Sequence, residues 1–238
     1  IGTVFIQEHE EIIISDAKVS DIAAEKEKLS KALAQSKEQL EAIKEKTANE
    51  IGEHEAQVFE AHLMLLDDVE FTGQMEMTIE NDQLNAMKAV QNVTDTFVMI
   101  FDSMDDPYMR ERAADIKDVS KRIIANLAGK GGNGMENVGA NTVVVAHDLT
   151  PSDTAQLDRS KVIGFLTNIG GRTSHSAIMA RTLEIPAVVG LGDITTSVKN
   201  GDTVIVDGIE GVAIINPDEA TINEYKARLE KFKAEQEE

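Results

Sequence analysis

Five histidines occur in the chain, and His175 is the one whose neighbours could do chemistry. Gly170, Gly171, Arg172, Thr173 and Ser174 precede it, and Ser176, Ala177, Ile178, Met179, Ala180 and Arg181 follow. A neutral imidazole is nucleophilic near pH 7 and can carry a phosphoryl group on nitrogen. Two glycines let the backbone turn tightly and approach a ligand. Thr173 and Ser174 are capping residues, and Arg172 offers a planar cation suited to phosphate. A histidine alone is more simply read as a helix residue satisfied by nearby hydroxyls. Here a double glycine, an arginine and two hydroxyls lie within five residues of it, which favours an anion site.

The elements around His175 fit that chemistry. Residues 162–167 form an apolar run that predicts a buried strand, and Pro186 limits the helix expected to begin near Ser174. A strand, a glycine turn and a helix start aim free N–H groups and the positive end of the helix dipole at one place. A second unit of the same kind precedes it: a strand over 142–146, then Thr150, Pro151 and Asp153, a helix-start signature. Thr154 opens that helix, and two parallel units ending in hydroxyl-rich turns can bring it to His175. Its hydroxyl would then fix the imidazole tautomer by bonding the non-reacting nitrogen, though a threonine satisfied by its own backbone fits the spacing equally. Ser176 has no acidic partner at triad-like placement and Gly-x-Ser-x-Gly is absent, which argues against a serine hydrolase.

The rest of the chain reads as supporting architecture. Residues 3–6 and 11–14 predict two short strands. From Ser20, a plausible cap, Ile22, Leu29, Leu33, Leu40 and Ile43 recur at bundle spacing to about residue 46. Further helices are predicted over 48–66, 69–79 and 83–103, and a fifth from Pro107, a favoured first-turn residue. A glycine-rich connection over 129–134 ends the bundle. Strands over 187–189, 203–206 and 212–215 follow, with a turn at Asn200 and Gly201. A last helix after Pro217 carries Ile222, Tyr225, Leu229 and Phe232, and its charged tail should fray. The two early strands lack partners of their own. The expected fold is therefore an α/β domain over 1–19 and 130–238, with an all-α bundle inserted over 20–129.

Composition narrows the partners. Lys and Arg number 23 against 43 Asp and Glu, a net charge of -20, which argues against nucleic acid and anionic membrane. No cysteine excludes disulfide and thiol chemistry and is consistent with the cytoplasm. No stretch is apolar for long enough to span a bilayer, and no signal peptide is evident. Ile1 is not a natural start, so the chain is expected to be a fragment. Between Thr47 and Met87 there are ten Asp or Glu and no Lys or Arg. His54, Val58, Phe59, His62, Leu63, Met64 and Leu66 are interleaved. That composition suits docking of a basic partner and equally suits a solvated acidic face over a Met-rich core. His54 and His62 are two helical turns apart with no third ligand, so zinc is rejected. His9 and His147 read as structural or exposed.

The stretch 170–181 resembles the phosphohistidine signature of phosphoenolpyruvate-utilising phosphotransferases. Residues 59–66, 111–116 and 148–157 extend the likeness, in the expected order, to the N-terminal half of the Enzyme I family of the bacterial sugar phosphotransferase system. The histidine motif alone would be shared with pyruvate phosphate dikinase and phosphoenolpyruvate synthase, and the helical segments point away from those two. The resemblance implies that His175 takes a phosphoryl group from phosphoenolpyruvate on Nε2 and passes it to a histidine of the carrier protein HPr. It implies that Thr154 orients the imidazole and Arg172 helps neutralise the transferring group. The inserted bundle would bind HPr, with contacts mapped to Glu53, His54, Val58, His62, Leu63, Leu65, Leu66, Asp68 and Arg112. Glu55 departs from the family pattern, standing where a lysine is often found. The phosphoenolpyruvate-binding, dimerising domain would lie beyond Glu238, and Mg2+ would belong to that part. The fragment itself would need no cofactor or metal, be a monomer, and exchange phosphoryl groups with HPr only. The competing readings are a dikinase or synthase domain, and a non-catalytic acidic docking module.

Overall fold

The structure is a computed structural model that describes residues 1–8, 12–130 and 138–237. His9 and most of the glycine-rich connection lie outside those residues. The chain divides into two units, one of residues 1–9 with 133–238 and one of residues 10–132.

The first unit is built on a six-stranded sheet. Strands β1 (Gly2–Ile6), β2 (Thr142–Ala146), β3 (Val162–Thr167) and β4 (Ala187–Val188) run parallel, and β5 (Thr203–Asp207) and β6 (Val212–Ile215) complete it antiparallel. The spatial order is β4-β3-β2-β1-β5-β6, so β1 lies beside β2 although the whole second unit separates them in sequence. Every residue of β2 is buried, which explains its unbroken apolar run: a central parallel strand is covered on both faces. Val4, Val143, Val145, Leu166 and Val188 form the core with Ile194 and Val198. Ile194 opens the short helix α8 (Ile194–Ser197), which has no clear signal in the sequence. Because β2 and β3 are parallel neighbours, the connections leaving them emerge at the same edge of the sheet. One leads into α6 (Pro151–Ala155) and the other into α7 (His175–Thr182). The last helix, α9 (Glu219–Gln236), has no buried residue.

The second unit contains α1 (Ile22–Glu50), α2 (Glu53–Asp67), α3 (Val69–Asp82), α4 (Ala86–Asp102) and α5 (Pro107–Leu127). Leu29, Leu40, Phe59, Phe71, Met75, Ile79, Ile116 and Ile123 fill its interior. The cap of α1 is Asp21, whose carboxylate accepts from the Ala24 N–H, and not Ser20. The helix then continues to Glu50, through the residues where a second helix was expected to start. The break falls at Ile51 and Gly52, whose N–H groups both turn back to the Thr47 carbonyl.

Residues 12–14 form no strand, contrary to the expectation for 11–14. Both edges of β1 are already occupied, by β2 and β5, so no ladder is left for a hairpin partner. Ile13 is 91% exposed. The segment that follows belongs with the helices: Asn85 Nδ2 donates to the Ser15 carbonyl at 2.7 Å, and Lys18 bridges to Leu84.

Candidate active site: a histidine at a helix start

Ser174 caps α7, and His175 is its first residue. The Ser174 hydroxyl accepts from the Ala177 N–H at 3.3 Å and donates to the Gly171 carbonyl at 2.7 Å, closing the loop onto the helix. Gly170 has φ +118°, and a Cβ there would stand 3.1 Å from Ser174 Oγ. Only glycine combines that backbone angle with so close an approach. The first-turn N–H groups not used by the cap are left for an anion.

Thr154 is brought to His175, at 2.8 Å from its Nε2. The threonine itself is 3% exposed and held on a helix with a full capping box, in which Thr150 and Asp153 bond reciprocally. The contacted nitrogen corrects the sequence expectation. Thr154 was expected on the non-reacting nitrogen, with the phosphoryl group on Nε2, yet Nε2 is the atom it touches. The hydroxyl also lies 3.1 Å from the Pro151 carbonyl and 3.3 Å from that of Thr150, and it has one hydrogen. If it donates to a carbonyl it accepts an Nε2–H, and if it donates to Nε2 it occupies that lone pair. In either arrangement Nε2 offers no free lone pair while it stays on Thr154.

The two cations of the signature have different roles. The Arg172 guanidinium is exposed and has no hydrogen bond or ion pair among the described residues. Arg181, in the last turn of α7, donates from Nη2 to the Arg172 carbonyl at 2.6 Å and ties the loop to the helix it precedes. Ile169 and Ile178 are each 45% exposed on the loop and on the helix. Sequence reasoning gave Arg181 and Asn168 no part. Asn168, two residues before the first of the glycines, is buried and bonded to His147 and Thr195.

On the helical unit the expected contact residues separate into two groups. Glu53 and His54 are exposed, and Val58, Asp68 and Arg112 are half-buried. Asp68 caps α3 by accepting from the Glu70 N–H at 2.9 Å. Arg112 has no ion pair or hydrogen bond among the described residues. His62, Leu63, Leu65 and Leu66 are instead buried, at 0%, 8%, 5% and 8% exposure, which removes them from a direct surface role. His62 packs edge-on to Phe59 and lies 3.1 Å from Asp115 Oδ1 through Nε2. Its Nδ1 is buried without a partner among the described residues, so the ring's N–H is best used at Nε2 as a donor to Asp115. The helix phase explains the correction. Phe59, His62, Leu63 and Leu66 recur at 3.6-residue spacing and turn inward together. Met64, Val69 and Met77 are left outside at 63%, 79% and 57% exposure, a pattern that plotting the helix phase would have found.

Two family descriptions match the sequence. Residues 1–112 match the PEP-utilising enzyme N-terminal family and residues 138–211 the PEP-utilising enzyme mobile domain, which contains His175. A solution structure described as Enzyme I (nEIt) is 45% identical, with a TM-score of 0.85 over 98% of this chain and 94% of that one. The chain belongs to the Enzyme I family. The likeness covers both units and not only the histidine signature. A structure described as the N-terminal domain of Enzyme 1 - Nitrogen matches at a TM-score of 0.63 and 25% identity, over 96% of this chain. Among curated members, the phosphoenolpyruvate-protein phosphotransferases of Enterococcus faecalis and Listeria monocytogenes are each 51% identical, over 93% and 92% of this chain. The chain spans 39% and 38% of their lengths.

Among the described residues no three His, Asp or Glu side chains are grouped to hold a metal ion. No helix of the described residues is long and apolar enough to cross a membrane.

Proposed function

We propose that the chain is a phosphoryl carrier: His175 accepts a phosphoryl group on Nε2 and exchanges it with a histidine of HPr. In the longer protein the group would come from phosphoenolpyruvate, bound by the portion of the relatives outside the matched length. Mg2+ and homodimerisation are assigned to that portion, and the chain alone to a monomer in the cytoplasm. The observation that carries this reading is the position of the imidazole. It begins a capped helix, with a buried hydroxyl on Nε2 and, three residues before it, an arginine unpaired among the described residues.

The chemistry asks little covalent help of the protein. The Nε2 lone pair attacks phosphorus in line, a P–N bond forms there, and the P–N bond to the HPr histidine breaks. That histidine recovers its lone pair, so no net proton moves. What the chain must supply is positioning and charge neutralisation. Arg172 and the N–H groups at the start of α7 are suited to the phosphoryl oxygens. Thr154 holds the resting ring and must release it. The docking face would be the acidic surface of α2 and α3. Exposed Glu53, Glu60, Asp67 and Glu70 would attract a basic partner, and Met64, Val69 and Met77 would hold it.

The experiment is transfer of labelled phosphoryl from phosphorylated HPr, with His175→Ala beside the parent. Label on the parent and none on the variant is the expected result. Binding of HPr without transfer would reduce the chain to an acidic docking module. Absence of both binding and transfer would overturn the proposal.

A further inference from the structure

Resting on that reading, we infer that Asn168 is a positioning residue for the His175 loop, working through His147 and Thr195. All of its hydrogen-bonding groups are engaged. Its backbone N–H donates to the Ala146 carbonyl at 3.1 Å and its carbonyl accepts from the Gly192 N–H at 2.8 Å. The side-chain amide donates to Thr195 Oγ1 at 2.8 Å and to His147 Nδ1 at 3.1 Å, and its oxygen accepts from the Thr195 N–H at 3.1 Å. The orientation of the amide is fixed by chemistry. The Thr195 N–H can only donate, so Oδ1 must face it and Nδ2 must face His147. His147 is therefore held as the tautomer with a lone pair on Nδ1 and hydrogen on Nε2.

The consequence lies in the loop. Ile169 N–H donates to the His147 carbonyl at 3.1 Å, so the pairing of β2 with β3 runs past the strand ends to the first residue before the glycines. Gly170 and Gly171 have little rigidity of their own. The loop therefore takes its position from its two ends: Ser174 with the Arg181 tie on one side, and Asn168 on the other. Asn168 also binds this loop to the start of α8, since Leu191 N–H donates to the Thr167 carbonyl and Gly192 N–H to that of Asn168. Asn168 touches no reacting atom. It acts by fixing where the phosphoryl-binding N–H groups point.

Two substitutions test this. Asn168→Ala removes every side-chain tie. It should slow transfer from phosphorylated HPr at least about tenfold in kcat with the KM for HPr unchanged, since docking lies elsewhere. Asn168→Asp keeps the shape and the acceptor for Thr195 N–H but presents a carboxylate to His147. His147 Nδ1, which carries a lone pair in the parent, should then carry a hydrogen toward the carboxylate, read from its ring 15N shifts. Slow amide exchange at Ile169 and Gly192 should persist in Asn168→Asp and be lost in Asn168→Ala. A His147 tautomer indifferent to Asn168→Asp, or Asn168→Ala transferring at the parent rate, overturns the inference. If Asn168→Ala does not fold, Thr195→Val, which deletes only the Oγ1 acceptor, should speed exchange at Ile169; unchanged exchange counts equally against it. A parent that takes no label from phosphorylated HPr sinks the proposed function instead, while the tautomer and exchange data still decide the role of Asn168.

Discussion

His175 and Thr154 share one hydrogen bond, and that bond sets two expectations at the scale of single residues. Thr154→Val keeps the volume and deletes the hydroxyl from a buried site, which should cost about 1 kcal/mol in urea unfolding. It should also shift the tautomer balance of His175, visible in ring 15N shifts; a spectrum identical to the parent would mean the hydroxyl does not hold the ring. Arg172 gives the opposite pattern, since its guanidinium has no protein partner among the described residues. Arg172→Ala should leave stability within about 0.5 kcal/mol while transfer from phosphorylated HPr falls at least about tenfold. An equal loss of stability and activity would make it a structural residue.

Helix ends decide the behaviour of individual elements. Glu184 follows α7 with φ 56°, a left-handed conformation that terminates the helix, with the Ile185 N–H donating to the Ala180 carbonyl. A side chain there is strained, so Glu184→Gly should stabilise the α/β unit by roughly 0.5–1 kcal/mol in urea titration. Asp218 caps α9, and the Thr221 hydroxyl and N–H that bond its carboxylate hold its pKa below the ordinary 3.8. A lowered carboxylate pKa means the ionised form is favoured in the folded state. The cap's contribution is therefore complete above about pH 3.8 and is lost as pH falls through the lowered value. Amide exchange at Thr221 should quicken over that window in the parent and stay level in Asp218→Asn, which caps without titrating.

Two units with separate cores give the whole molecule its expected behaviour. Unfolding followed by near-UV signals from Phe59 and Phe71 in the bundle and from Phe165 in the sheet should not coincide, because each unit has its own core. Docking should divide between charge and contact. HPr affinity should fall with salt through its association rate, as expected for an acidic face screened by ions. Met64→Ala should raise the dissociation rate without destabilising the bundle, since Met64 is 63% exposed. A variant at buried Leu66, by contrast, should unfold the unit before it reports on binding.

Periodicity and punctuation were legible in the sequence because they are local. The apolar runs gave β2, β3 and β6, Pro107 and Thr150 gave helix starts, and two glycines, an arginine and a histidine marked the site. The chemistry those residues can do follows from their types alone. Tertiary structure decided what depends on neighbours distant in sequence. β1 pairs with β2 across the inserted helices, so residues 12–14 have no strand to join. The periodicity of α2 puts Phe59, His62, Leu63 and Leu66 on one face, and packing against the other helices decides that this face is the buried one. Which nitrogen of His175 meets Thr154, and that Asn168 ties three loops together, depend on two parallel strands ending side by side. Hydrogen bonds at a sheet edge are set by ångström distances between segments twenty or more residues apart, and sequence spacing carries no such distances.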